Sequence, residues 1–350
     1  MFFVSDNASP VAPEVLDALA RANEGYAMPY GADALMAEVR AKIREVFEAP
    51  EAAVYLVATG TGANALSLGF MCPPWATVFC HRHAHISEDE CAAGEFYTGG
   101  AKLTLIDGPG AKITPAALAQ AIAEATNPDV HHVRLGMLSL TNLTERGAAY
   151  TPAEVAELTA LAKAAGMPSH MDGARFANAL VATGATPAEM TWKAGIDVLS
   201  FGGTKNGLMG AEAVVLFDPA KAIEFELRRM RGGHLFSKHR YLSAQMAAYL
   251  KDGLWLKLAA QANASGQRLA KGLAAIPGVE VQAAPAANLM FVRMPRSAHA
   301  RARAAGAAYY LMSSDDVTAG PADTPILCRL VTSWSTTDAE VEHFLALIRG

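Results

Sequence analysis

His170-Met171-Asp172-Gly173-Ala174-Arg175 and Ser200-Phe201-Gly202-Gly203-Thr204-Lys205-Asn206-Gly207 are the two stretches on which the fold turns. Each opens on a short apolar run and closes in a glycine-containing turn that carries a charged residue. Asp172 and Lys205 stand 33 residues apart, about the length of one strand, a crossover helix and the next strand. That spacing sets both residues at the carboxyl edge of neighbouring parallel strands, where open α/β sheets bind ligands.

Outward from these stretches, short β-branched or aromatic runs alternate with longer Ala/Leu/Glu/Lys segments through the first two-thirds of the chain, the pattern of an α/β protein. Strands are expected at 54–58, 77–80, 102–106, 133–140, 168–171, 198–201 and 213–217. Thr114-Pro115, Thr151-Pro152 and Asp218-Pro219 each place a capping side chain before a proline at a first helical position. After residue 240 the pattern changes. A long helical stretch, 241–273 with a break at Asp252-Gly253, leads to strands at 279–281, 289–294 and 326–331 and a closing helix at 338–348. The expected division is a large domain, 1–240, that includes the N-terminal segment, and a small C-terminal domain, 241–350. The Ala/Arg-rich segment 298–308 reads as an exposed helix face.

Composition excludes several classes of function. With 52% hydrophobic and 18% charged residues, the 350-residue chain is a packed globular protein. A net charge of −5 gives no long-range attraction for nucleic acid or an anionic membrane, and no run of about 18 apolar residues exists to span one. Cys72, Cys80, Cys91 and Cys328 form neither a Cys-x-x-Cys pair nor a disulfide framework. Reduced thiols in the cytoplasm are expected.

A carboxylate and an amine meeting at one sheet edge suit a pyridine cofactor. The amine of Lys205 can form an imine with an aldehyde, and Asp172 can keep a ring nitrogen protonated so that the ring accepts electrons. Thr204 offers a hydroxyl to a phosphate. Ala58-Thr59-Gly60-Thr61-Gly62-Ala63-Asn64 joins a strand to a helix through glycines, and Gly60 and Thr61 can cradle the phosphate. Alone this is a weak signal, since any tight turn there needs glycine. The cluster from Cys80 to Cys91, with His81, His83 and His85, lacks the two separated ligand pairs of a structural zinc site, so no metal is expected. Arg329, in the apolar run Cys328-Arg329-Leu330-Val331-Thr332, is either a structural arginine or a fork for a carboxylate.

Taken in order, Ser5-Asp6, Gly60-Thr61, His85, Asp172-Gly173-Ala174-Arg175, Lys205 and Arg329-Leu330-Val331-Thr332 resemble the L-threonine aldolase family of fold-type I pyridoxal-phosphate enzymes. The resemblance spans nearly the whole chain. It implies a large domain with a mainly parallel mixed sheet flanked by helices, a smaller α+β domain, and pyridoxal 5'-phosphate as cofactor. It implies further that Lys205 holds the cofactor as a Schiff base, Asp172 pairs with the pyridinium nitrogen, His85 stacks on the ring, and Gly60 and Thr61 bind phosphate. Ser5, Arg175 and Arg329 would hold the substrate carboxylate, and Arg175 could also reach the ring hydroxyl. Tyr30-Gly31 matches a segment that enters a neighbouring subunit's site, which implies a homo-oligomer, a dimer or a tetramer; Arg228 and Arg231 could help a phosphate across that interface.

One departure stands out. Where many members carry a second histidine after the central strand, this chain reads Thr141-Asn142-Leu143-Thr144, and His131 and His132 come too early. His85 is then the candidate base. The reaction implied is cleavage of a β-hydroxy-α-amino acid, such as L-threonine, L-allo-threonine or a phenylserine-like compound, to glycine and an aldehyde. The rivals are a β-eliminating pyridoxal-phosphate lyase and a non-catalytic cofactor-binding protein.

Overall fold

A computed structural model describes every residue except Asp315. Seven strands make the large sheet: β1 (Ala53–Val57), β2 (Ala76–His81), β3 (Lys102–Ile106), β4 (Arg134–Thr141), β5 (Ser169–Gly173), β6 (Val198–Phe201) and β7 (Glu212–Leu216). Their order is β1-β7-β6-β5-β4-β2-β3. The run from β6 to β3 is parallel, and β7 is antiparallel to both of its neighbours. Only ten residues separate Phe201 from Glu212, too few for a helical crossover, so the chain must return antiparallel there. Helices cover both faces, which is why β2, β5, β6 and β7 are buried at every position; β2, β6 and β7 read as largely apolar runs, whereas β5 buries Ser169, His170 and Asp172.

The capping signals act as their chemistry dictates. Thr151 and Glu154 form a reciprocal capping box at the helix Pro152–Ala164, and Thr114 accepts from Ala117 N at the helix Pro115–Ala125. Asp218 caps only a 3-10 turn, Pro219–Lys221, before the helix Ala222–Arg231 begins.

A second sheet contains β8 (Glu280–Val281), β9 (Leu289–Pro295), β10 (Tyr310–Leu311) and β11 (Pro325–Val331), in the antiparallel order β10-β11-β9-β8. β10 was not foreseen, since two residues carry no periodicity. The core of this unit joins Leu269, Val292, Cys328, Leu330 and Phe344 to Phe3. The N-terminal segment thus reaches the small sheet: Phe3 N donates to Ala308 O at 2.8 Å and Phe3 O accepts from Val331 N at 3.0 Å. The expected change of unit at 240/241 falls at the start of the helix Arg240–Leu250, which sends Leu242, Met246 and Tyr249 into the core of the large sheet. The next helix, Leu254–Ala274, crosses between the units, with Trp255 in the first core and Leu269 and Leu273 in the second.

The reading of 298–308 as an exposed face needs correction. The helix Arg296–Ala304 buries Ala298, His299 and Ala302, and His299 bonds the Tyr309 hydroxyl at 3.0 Å and Ile326 O at 3.1 Å. Small residues at i and i+4 make an inner stripe that the flanking arginines disguise. No described helix is long and apolar enough to cross a membrane. Cys72, Cys80, Cys91 and Cys328 are all free thiols.

Candidate active site

Asp172 and Ser200 are register partners on the parallel strands β5 and β6, so the two turns that follow emerge side by side. Their closeness demands glycine. A Cβ at Gly202 would stand 2.5 Å from Ala174 O, backbone against backbone, and Gly202 N donates to Gly173 O at 3.0 Å. Lys205 follows in the 3-10 turn Thr204–Asn206. Buried bonds lock that turn on both sides: Asn206 Nδ2 donates to the Tyr249 hydroxyl at 2.7 Å and to Trp255 O at 2.8 Å, while Glu212 accepts from Gly203 N at 2.6 Å. His170 is a core histidine. It lies between Ser139 Oγ at 2.9 Å and Ser200 Oγ at 3.0 Å, and burial pushes its pKa down to about 4.

Asp172 is buried and fully engaged. Its Oδ1 accepts from Ala174 N at 3.0 Å and its Oδ2 from Asn64 Nδ2 at 3.0 Å. Asn64 also reaches Glu90 at 2.9 Å, and Glu90 Oε1 lies 2.8 Å from His85 Nδ1. One polar network therefore joins Asp172, Asn64, Glu90 and His85, whose ligand-capable atoms on His85, Glu90 and Asp172 lie within 4.8 Å of one another. The hydrogen bond to Glu90 raises the His85 pKa, outweighing the opposing effect of burial. The other histidines of that segment are spent locally: His81 accepts from His83 N at 3.0 Å, and His83 Nδ1 lies 2.9 Å from Glu88.

The glycine-rich turn opens the helix Gly60–Met71 at Gly60, earlier than the turn-then-helix reading placed it, because Thr59 caps it by accepting from Gly62 N. Gly60 and Thr61 are thus the first two helical residues, whose N–H groups have no partner within the helix. A Cβ at Gly60 would meet nothing within 4 Å, so the space above this turn is open to an anion. Gly62 has none to spare, with His234 Cε1 only 2.6 Å from its would-be Cβ and His234 itself 3.0 Å from the Tyr97 hydroxyl.

These parts meet in one cavity of about 240 Å³, lined by Gly60, Thr61, His85, Asp172, Thr204 and Lys205. This is smaller than the usual range for drug-sized ligands, about 300–1,000 Å³, and suits a single ring with its phosphate. A phosphate cradle, a ring-side carboxylate and an amine facing one space fit pyridoxal phosphate.

Two guanidiniums stand beyond the cavity. Arg175 donates from Nε at 2.6 Å and Nη2 at 2.9 Å to Asp6, both side chains buried, and Asn288 donates to Asp6 at 3.1 Å. Only Nη1 of Arg175 is left for a ligand. Arg329 donates from Nη2 to Val4 O at 3.2 Å, stacks its guanidinium 5.1 Å from the Tyr310 ring centroid, and buries Nε without a partner among the described residues. Burial and then the charge of Arg175 lower the Arg329 pKa: the two cations repel, and an anion would relieve them. Ser5 caps the Asp6–Ala8 turn through Asn7 N. Tyr30 stands apart, 53% exposed, its N donating to Ser237 O at 3.1 Å. Arg228 pairs with Glu224 on its own helix at 2.9 Å and Arg231 is exposed; the buried arginine of that run is Arg229, which stacks 5.7 Å from the Tyr55 ring centroid.

Sequence reasoning missed Asn64, Glu90, Asn288 and Glu212 and gave Asp6 no role. Glu90, five residues after His85, and Asp6, next to Ser5, carried a local hint; Asn64, Asn288 and Glu212 carried none.

With a lysine and an aspartate facing one cavity at the carboxyl edge of its sheet, the fold is that of a fold-type I pyridoxal-phosphate enzyme. Residues 3–295 match the family described as beta-eliminating lyase, and the chain belongs to it. Over 348 residues it is 39% identical to a low specificity L-threonine aldolase of Pseudomonas sp. (strain NCIMB 10558), covering 99% of this chain and 97% of that one. A solved threonine aldolase of Leishmania major superposes with a TM-score of 0.91 at 28% identity, covering 99% of this chain and 98% of that chain. A serine palmitoyltransferase of S. paucimobilis with bound PLP shares the fold, with a TM-score of 0.72 at 16% identity and coverage of 100% and 86%.

Proposed function

We propose that this protein is a pyridoxal-phosphate aldolase that cleaves a β-hydroxy-α-amino acid to glycine and an aldehyde. The observation that carries the reading is the single cavity that Lys205, Asp172 and His85 share, with Arg175 and Arg329 behind it.

Pyridoxal phosphate, when bound, supplies an electron sink for the pair released at Cα. The chain's own groups do the rest. Lys205 would hold the cofactor through Nζ. Asp172, held by Asn64 and Ala174 N, would pair with the ring nitrogen, and the first turn at Gly60 and Thr61, with the Thr204 hydroxyl, would hold the phosphate. Arg329, Arg175 through Nη1, and Ser5 fix the substrate carboxylate, and with it the Cα–Cβ bond whose breakage is wanted. His85, aligned by Glu90, would stack on the ring and take the β-hydroxyl proton, directly or through a water.

A homo-oligomer completes the reading. Tyr26, Met28, Tyr30, Ile223, Leu227 and Met230 are exposed, more large apolar side chains in two segments than a monomer needs, and Tyr30 has its proposed role in a neighbour's site. Four free cysteines support a cytoplasmic setting.

The test is a stereoisomer panel of β-hydroxy amino acids assayed for glycine release, with Lys205→Ala as the blank. The family match favours one second reading, β-elimination, which would yield ammonia and a keto acid instead of glycine and an aldehyde.

A further inference from the structure

One carboxyl that lines this cavity has no part in the reading above. Glu212 is buried and borders the cavity together with Gly60, Thr204 and Lys205. Its place follows from the antiparallel return of β7, which begins at the sheet edge where β1 and β6 end. Glu212 is the register partner of Val57, the last residue of β1, and Ala213 is that of Phe201, the last residue of β6. The chain leaves β1 for the Gly60 turn and β6 for the Lys205 turn. Glu212 therefore stands at the seam between the two.

Its hydrogen bond falls on the lysine side. Glu212 Oε2 accepts from Gly203 N at 2.6 Å, two residues before Lys205. Gly203 is pressed onto the return that leads to β7: a Cβ there would stand 2.4 Å from Leu208 Cδ1 and 2.7 Å from Ala211 O. Carboxyl and backbone thus meet with no side chain between them. After Lys205, Asn206 donates to the Tyr249 hydroxyl and to Trp255 O. Lys205 sits between these two clamps, and Glu212 is the one on the side from which the chain enters. Burial pushes the Glu212 carboxyl up, and the bond from Gly203 N and the charge of Lys205 act against that.

We propose that Glu212 is the positioning residue of Lys205, holding the turn so that Nζ reaches the cofactor's aldehyde carbon, and that it contributes to cofactor binding through that covalent bond and not through the phosphate. This rests on the reading of Lys205 as the lysine that carries pyridoxal phosphate. The plainer role, a brace for β7 and for both turns alike, makes a different prediction, because loss of a brace weakens every occupant of the cavity equally.

Two forms of the cofactor separate the roles. The aldehyde of pyridoxal phosphate condenses with the lysine amine to an imine, with release of one water. Pyridoxamine phosphate has the same ring and phosphate but carries an amine in place of the aldehyde, so it cannot form that bond. The full chain, freed of cofactor, is titrated with each form by calorimetry, as wild type and as Glu212→Ala. The expected result is a Kd for pyridoxal phosphate raised at least about tenfold, the scale of a buried donor that has lost its charged acceptor. The Kd for pyridoxamine phosphate should rise no more than about threefold, since only the Thr204 contact can suffer. Glu212→Gln, which keeps an acceptor for Gly203 N, should weaken pyridoxal phosphate only about threefold. Should the alanine variant not fold, the glutamine variant carries the comparison, with that loss at unchanged pyridoxamine phosphate binding. Equal weakening toward both forms, or no loss toward either, overturns the proposal. Failure of the lysine reading itself shows separately, as a Lys205→Ala protein that binds pyridoxal phosphate as tightly as wild type, and it takes this proposal with it.

Discussion

Replacing Asp6 by Asn removes the negative member of a buried bidentate pair, in which Arg175 donates from Nε at 2.6 Å and Nη2 at 2.9 Å. The amide keeps the shape and one acceptor, but it leaves the guanidinium charge without a counter-charge in contact. Losing one side of a buried pair costs about 3–5 kcal/mol, and here the pair ties the N-terminal turn to the start of the helix Phe176–Thr183. Urea unfolding of wild type and variant at pH 7 measures the loss. Acidity supplies a second readout. Burial alone would raise the Asp6 carboxyl, but the charges of Arg175 and Lys205 and the bonds from Arg175 and Asn288 hold it below its usual 3.8. A depressed carboxyl contributes fully above its unfolded value and loses that contribution as the pH falls through the folded one. The gap between wild type and Asp6→Asn should thus hold steady at neutral pH and close below about pH 4. A loss under about 1 kcal/mol at pH 7, or a gap that persists undiminished into strong acid, would refute the reasoning.

Three further outcomes are expected. Glu90→Gln replaces the carboxylate whose bond raises the His85 pKa by a neutral amide; if neutral His85 is the base, the acid limb of the kcat/KM profile moves to lower pH, and an unmoved limb removes His85 from that role. His85→Ala should lower turnover by roughly 10²–10⁴-fold while the protein keeps its cofactor absorbance; full aldol activity would sink the assignment. Gly202→Ala puts a Cβ 2.5 Å from Ala174 O, with backbone on both sides, so thermal denaturation should show a loss of about 1–3 kcal/mol together with weaker cofactor retention, and a neutral substitution would mean the two turns can part freely.

Much of the scaffold was legible because β2, β6 and β7 are buried at every position and announce themselves as largely apolar runs. The 33-residue spacing from Asp172 to Lys205 likewise reports one parallel crossover. The antiparallel return of β7 was hidden, since burial looks the same whichever way a strand runs, and it is this return that brings Glu212 under Gly203. Residues that line the cavity in local strings, such as Lys205 and Gly60, could be read from neighbours in sequence. Residues that hold them in place could not: Asn64 meets Asp172 across 108 positions, and Asp6 meets Arg175 across 169. Arg229 was overlooked between Arg228 and Arg231 because three arginines within four positions look like a solvated face, although of the three only Arg229 is buried.

The claim on which all else depends is that Lys205 carries the cofactor. Borohydride reduction of the holoenzyme, followed by peptide mapping by mass spectrometry, tests it directly. A pyridoxyl-phosphate adduct is expected on the peptide containing Lys205, together with its disappearance in Lys205→Ala. An adduct on any other lysine, or none at all in protein that retains its cofactor, would contradict it.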